Sequence, residues 1–185
     1  AGSYIDKDYL HDIAGTLYLR ERNYKKAMEV LSKVSPNYQL RLNTQDNLSR
    51  DPFAANPRFG NIHIVDAKYN FACRMYYLQQ TYQNTDIDAN RRANAMLEYA
   101  TGMRNSYIDV WALTQYGQGY PVFTAAYEPW ITEEKESKIQ ADYEQLVRNA
   151  MSLFTEDEAK AMVQLHYQNH YTIVTKYPNT AAAEY

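Results

Sequence analysis

Cysteine is almost absent: Cys73 stands alone, so no internal disulfide can form, and thiol usage says nothing about compartment. Glycine and proline are scarce too, six of each in 185 residues, which excludes collagen-like and low-complexity chains. No apolar run approaches the roughly 20 residues of a membrane span, and no signal-peptide pattern is present. Neither sign of charge dominates. Nineteen Lys and Arg against twenty-two Asp and Glu leave a net charge of −3, and no window is basic enough to neutralise a run of phosphates, so no nucleic-acid partner is expected. Period-two alternation is missing as well, which removes strands from the expected fold.

What is present is an ordinary globular composition, 45% hydrophobic and 22% charged, in a chain long enough to withdraw roughly 70% of its extended surface from water. The expectation is all-α, a single helical domain over 1–185 whose ends read as an excerpt of a longer chain. Ile5, Tyr9, Ile13 and Leu17 recur every four residues and mark a first helix to about Arg20. Tyr24, Ala27, Met28, Leu31 and Val34 mark a second, stopped at Ser35-Pro36. Residues 5–36 therefore form a hairpin, since two helices joined by Glu21-Arg22-Asn23 must run antiparallel.

Residues 36–62 carry Pro52, Pro57 and Gly60 and read as a long loop pinned by Phe53 and Phe59, with one possible helical turn at Asn37 to Leu42. Residues 63–116 read as a long helical pair. Its first helix is marked by Ile64, Ala67, Phe71, Met75, Leu78 and Tyr82. Its second is capped by Asp86 or Asp88, with one narrow seam of Ala89, Ala93, Met96, Ala100, Met103, Tyr107, Val110 and Thr114. Residues 117–131 are an aromatic loop and 132–180 a C-terminal helical pair, with Thr132 as the cap of one helix and Thr155 and Glu158 as a capping box for the other.

Gly15, Tyr18, Tyr24, Ala27, Leu31, Val34 and Pro36 stand in an order that resembles the tetratricopeptide repeat. In that family a Gly lets the two helices touch, and an Ala twelve residues later sits where they pack closest. Gly15 and Ala27 keep that gap, whereas Leu31 replaces the family's Phe, His11 its Trp and Ala14 its Leu. A looser echo runs from Tyr171 through Ala181. The chain also resembles a Tyr- and Asn-rich, tetratricopeptide-like group from Bacteroidetes, in which segments similar to Leu48–Phe53 and Tyr99–Ser106 follow such a hairpin. The resemblance implies a right-handed stack of antiparallel hairpins, a cell-envelope setting (periplasm or outer-membrane surface), and a protein or peptide partner.

No catalytic signature emerges. His166 and His170 have a metal-sharing spacing, but Tyr167 stands where a zinc protease needs Glu and no third ligand is near, so no metal is expected. Gly117-Gln118-Gly119 lacks the third Gly of a dinucleotide fingerprint and reads as a helix terminator, and no cofactor is expected. Thr44, Ser49 and Ser106 have no base or oxyanion site in context, the acidic pairs Asp86/Asp88 and Glu156/Glu158 sit at helix starts, and Cys73 reads as a small core residue.

Phenylalanine is the remaining scarcity: five against nineteen Tyr. A dry core favours Phe, because each interior hydroxyl needs a partner, so many of these rings are expected to keep one edge wet between helix layers. The candidate recognition surface is Trp111, Tyr116, Tyr120, Phe123, Tyr127 and Trp130, where aromatic rings and irregular backbone coincide. The sequence thus favours a non-enzymatic protein- or peptide-binding scaffold. A carbohydrate-binding module stacking sugars on these rings is the second option, and a hydrolase of unrecognised type the third.

Overall fold

The computed structural model describes residues 6–39, 48, 51–54, 67–106 and 133–155. These form six helices: α1 Lys7–Arg20, α2 Tyr24–Leu31, α3 Pro36–Gln39, α4 Ala67–Gln83, α5 Ala89–Ser106 and α6 Glu133–Met151. No strand occurs among the described residues, and no helix there is long and apolar enough to cross a membrane. The protein is all-α, as its periodicity predicts.

Local chemistry sets the boundaries. Asp6 caps α1 by accepting from Asp8 N at 3.0 Å. At the other end Arg22 N donates to Leu19 O at 2.9 Å and Asn23 N to Tyr18 O at 2.8 Å, the bond pair that closes a helix through a left-handed residue. That residue is Arg22, at φ 56°, where glycine is the usual occupant. Asn23 then caps α2 through its side chain, accepting from Lys26 N. Three residues thus end one helix and begin the next. Proline takes the first position of α3, where its missing N–H costs nothing. Asp88 rather than Asp86 caps α5, accepting from Arg91 N at 2.9 Å.

Helices pack in chain order. α1 lies on α2, α2 on α4, α4 on α5 and α5 on α6. One core joins Leu19, Tyr24, Ala27, Leu31, Phe71, Met75, Tyr99 and Met103, all buried. A second, between α5 and α6, joins Ala93, Met96 and Ala150. α5 is therefore apolar on two sides, and the single narrow seam expected for it is too narrow. Ala95, Tyr99 and Met103 face the first core while Ala93 and Met96 face the second, because α5 lies between two neighbours; Ala89 is exposed.

Gly15 sits under Leu31. A Cβ added there would overlap Leu31 Cδ2 and Cγ, so the missing side chain is what admits α2. Ala27 is fully buried, but the atoms lying on Gly15 are those of Leu31. The stripe that announced α1 lies on the wrong side: Tyr9 is 37% and Leu17 41% exposed, Ile13 half-buried, and the buried residues are Asp12, Gly15, Thr16 and Leu19. The physical reason is that α1 turns polar groups inward to meet Lys68 of α4, as set out below.

Tyrosine does partner tyrosine in the core. Tyr24 and Tyr99 are buried with their hydroxyls 3.3 Å apart and rings edge to face at 6.0 Å, and Tyr82 meets Tyr99 the same way at 5.2 Å. Tyr18, Tyr38, Tyr69, Tyr76 and Tyr143 are half-buried against the same core, the wet-edged position the excess of Tyr suggests.

Candidate functional site

Three constellations place chemically active side chains together. The first is a buried charge node between α1 and α4. Lys68 Nζ donates to Asp12 Oδ1 and to Thr16 Oγ1, both at 2.8 Å, and Thr16 Oγ1 donates to Asp12 O at 2.8 Å. Asp12 and Thr16 lie one turn apart on α1, so a single ammonium reaches both. With Asp12 2%, Thr16 0% and Lys68 8% exposed, this ion pair is withdrawn from water. Its partners consume each other. The ammonium bonds to a carboxylate and a hydroxyl of the neighbouring helix, so the node holds α4 against α1.

Around it, Asp8 accepts from Ser35 N at 3.1 Å and from Ser35 Oγ at 2.5 Å, tying the first turn of α1 to the residue just before α3. Burial, then the charges of Asp12, Asp6 and Asp8 and the nearby Tyr9, push the Tyr38 phenol well above its usual range. It stays protonated wherever a protein is ordinarily handled. His11 of α1 is half-buried, and its Nδ1 has no hydrogen-bond partner among the described residues.

The second constellation is a clasp across α4 and α5. Asn105 Nδ2 donates to Pro52 O and to Ala54 O, each at 3.0 Å, and holds the turn Asp51–Ala54. Phe53 lies on Gly102, where an added Cβ would overlap its Cε1 and come within 3.1 Å of Met75 Sδ. The Phe53 ring stacks on Phe71 at 5.7 Å and the Arg74 guanidinium lies 6.0 Å from its centroid. Gly102 thus makes room for a ring. Pro52 and Phe53 from one of the two segments singled out in the sequence, and Gly102 and Asn105 from the other, meet here. Phe53 pins this stretch as the sequence suggests, and Phe59 lies outside the described residues; the receiving pair Gly102 and Asn105, three residues apart on one helix, is what the sequence reading does not anticipate.

The third closes α6 onto the rest. Asp142 accepts from Arg22 Nη1 at 2.8 Å and Lys138 Nζ at 2.7 Å, and Arg104 lies 4.8 Å over the Tyr143 ring. Partial burial tends to raise the Asp142 pKa, but the bonds from Lys138 and Arg22 outweigh it and hold the carboxyl below its ordinary value.

Trp111, Tyr116, Tyr120, Phe123, Tyr127 and Trp130 all lie outside the described residues, as do His63, His166, His170, the cap Thr132 and the second helix of the 132–180 pair. Among the described residues no three His, Cys, Asp or Glu side chains gather as a metal would require. Cys73 is half-buried, less enclosed than a core thiol. Ser106 is buried and its hydroxyl donates to Met103 O at 3.2 Å within its own helix. Compared with protein-family models, with curated proteins and with solved structures, the chain matches none of them.

Proposed function

We propose that this chain is a non-enzymatic helical scaffold of tetratricopeptide type, set in the cell envelope, that binds a protein or peptide partner. The observation that carries the reading is the close approach of α2 to α1 at Gly15, made by Leu31 one turn beyond the fully buried Ala27 rather than by Ala27, whose position is the motif's own point of closest contact. Two further features support it. Asp8 bonded to Ser35 brings the start of α1 beside the end of α2, as an antiparallel hairpin requires. Packing in chain order is what a stack of hairpins produces, and such stacks offer long surfaces suited to holding an extended partner. The buried ionisable groups of the node pair with one another, which suits a scaffold.

The binding surface falls to the aromatic segment around Tyr116 and Trp130. Affinity capture from envelope extracts tests it, with the Tyr116→Ala, Trp130→Ala double variant alongside. Loss of captured proteins with an unchanged far-ultraviolet spectrum is the expected result. An identical set of partners from the variant counts against the reading, and glycan binding in the absence of any protein partner would replace it with the carbohydrate-binding alternative.

A further inference from the structure

α1 is apolar on its outward face. Leu10 is 49% and Leu17 41% exposed, with Ile13 and Ala14 half-buried between them. This i, i+3, i+4, i+7 set forms one stripe, opposite the buried Asp12, Gly15 and Leu19. Among the described helices α2, α4 and α5 each pack against two others, whereas α1 packs on α2 and meets α4 through the Lys68 node, both on the side of Asp12 and Gly15.

The charges bounding the stripe decide what fits it. Along one flank stand Lys7 near the start of α1 and Glu21 at its C-cap; along the other stand Asp6 at the N-cap and Arg20 in the last turn. None of the four forms an ion pair among the described residues. An antiparallel two-fold contact returns each flank to itself with its direction reversed. Lys7 then faces the second copy's Glu21, Asp6 faces its Arg20, and Leu10 faces its Leu17, all about one centre between Ile13 and Ala14. A stripe that repels itself in register would bar such pairing; this one matches itself at every charged position.

We infer that α1 is a docking surface for a second copy of this chain, in an antiparallel helix pair about a two-fold axis between Ile13 and Ala14. The inference goes beyond the scaffold reading and does not rest on it. Leu10 and Leu17 lie roughly 10 Å apart along the axis, so the contact is small and belongs with transient interfaces. Dimer formation is therefore concentration-dependent.

Sedimentation velocity on the chain from about 10 to 500 μM, a range suited to transient interfaces, tests it. The expected result is a monomer–dimer equilibrium that Leu17→Glu weakens at least tenfold. Leu17 is exposed, so the fold survives that change, and far-ultraviolet circular dichroism checks that it does. Lys7→Glu alone weakens the dimer by opposing two carboxylates, and Lys7→Glu with Glu21→Lys restores it, independently of Leu17. A monomer throughout the range overturns the inference and leaves the stripe to a different partner. So does a dimer indifferent to both sets of variants, which would use another face.

Discussion

Replacing Lys68 with methionine keeps most of the stem and deletes the ammonium, leaving the Asp12 carboxylate 2% exposed with its 2.8 Å partner gone. Breaking a buried pair from one side costs about 3–5 kcal/mol, because the surviving charge keeps its desolvation penalty without its partner's attraction. Against a total stability of about 5–15 kcal/mol for a domain, that is a large fraction. With a urea slope of about 2 kcal/mol/M the midpoint falls by about 2 M. Removing both charges tests the cause. In Asp12→Leu with Lys68→Met no ion remains to be solvated, and Thr16 Oγ1 keeps its bond to the residue 12 carbonyl. The double variant should therefore recover to within about 1–2 kcal/mol of the original protein. Urea melts followed at 222 nm, run as a double-mutant cycle, measure both quantities. A loss below about 1 kcal/mol for Lys68→Met, or single losses that simply add, would refute the claim that this pair is buried and coupled.

Gly15→Ala should destabilise by about 1–2 kcal/mol, although alanine at an open helical position stabilises by about 1 kcal/mol, because its methyl must displace the buried Leu31; thermal melts give the sign. Asn105→Ala removes two bonds that hold the Asp51–Ala54 turn and should cost about 1–3 kcal/mol, with limited proteolysis near residue 54 accelerating more than elsewhere. The Asp142 carboxyl sits below its ordinary pKa of 3.8 when folded, so its contribution is complete above that value and lost as pH falls below it. Acid titrations of stability should accordingly be shallower in Asp142→Asn, and an unchanged slope would remove Asp142 from the account. Tyr38 ionises above its ordinary 10.0 when folded, so it favours the fold increasingly less as pH rises past 10 toward its folded value. Absorbance titration at alkaline pH, compared with Tyr38→Phe, should lose a late-titrating phenol.

Helix breaks were legible where they depend on neighbours in sequence: Asp88 caps α5 and Glu21-Arg22-Asn23 separates α1 from α2, although Asp6, inside the helix expected from Ile5, turns out to be the cap of α1. The inward face of α1 was not legible in the same way. Counting apolar side chains selects Ile13 and Leu17, whereas the structure buries Asp12 and Thr16, because Lys68, 56 residues from Asp12, satisfies them. No periodicity in α1 carries that information. α5 shows the same limit: Ala93 and Ala95 differ by two positions yet enter different cores, which follows only once helices stand on both sides. For the candidate site, residues 48–53 and 99–106 stood out in sequence, but that Phe53 lies on Gly102 required the folded chain. The aromatic set from Trp111 to Trp130 rests on ring content and turn-forming residues, and lies outside the described residues.

A linear array held only by adjacent contacts loosens from its ends, one element at a time. The bond from Arg22 to Asp142 joins positions 120 residues apart and brings the last described helix back to the first connection. The series is thereby closed into a loop of contacts. Peeling α6 away also strips the left-handed Arg22 of the carboxylate that its side chain reaches, so disturbance at the far end is felt at the first bend. Asp142→Asn should accordingly loosen the first bend as well as α6.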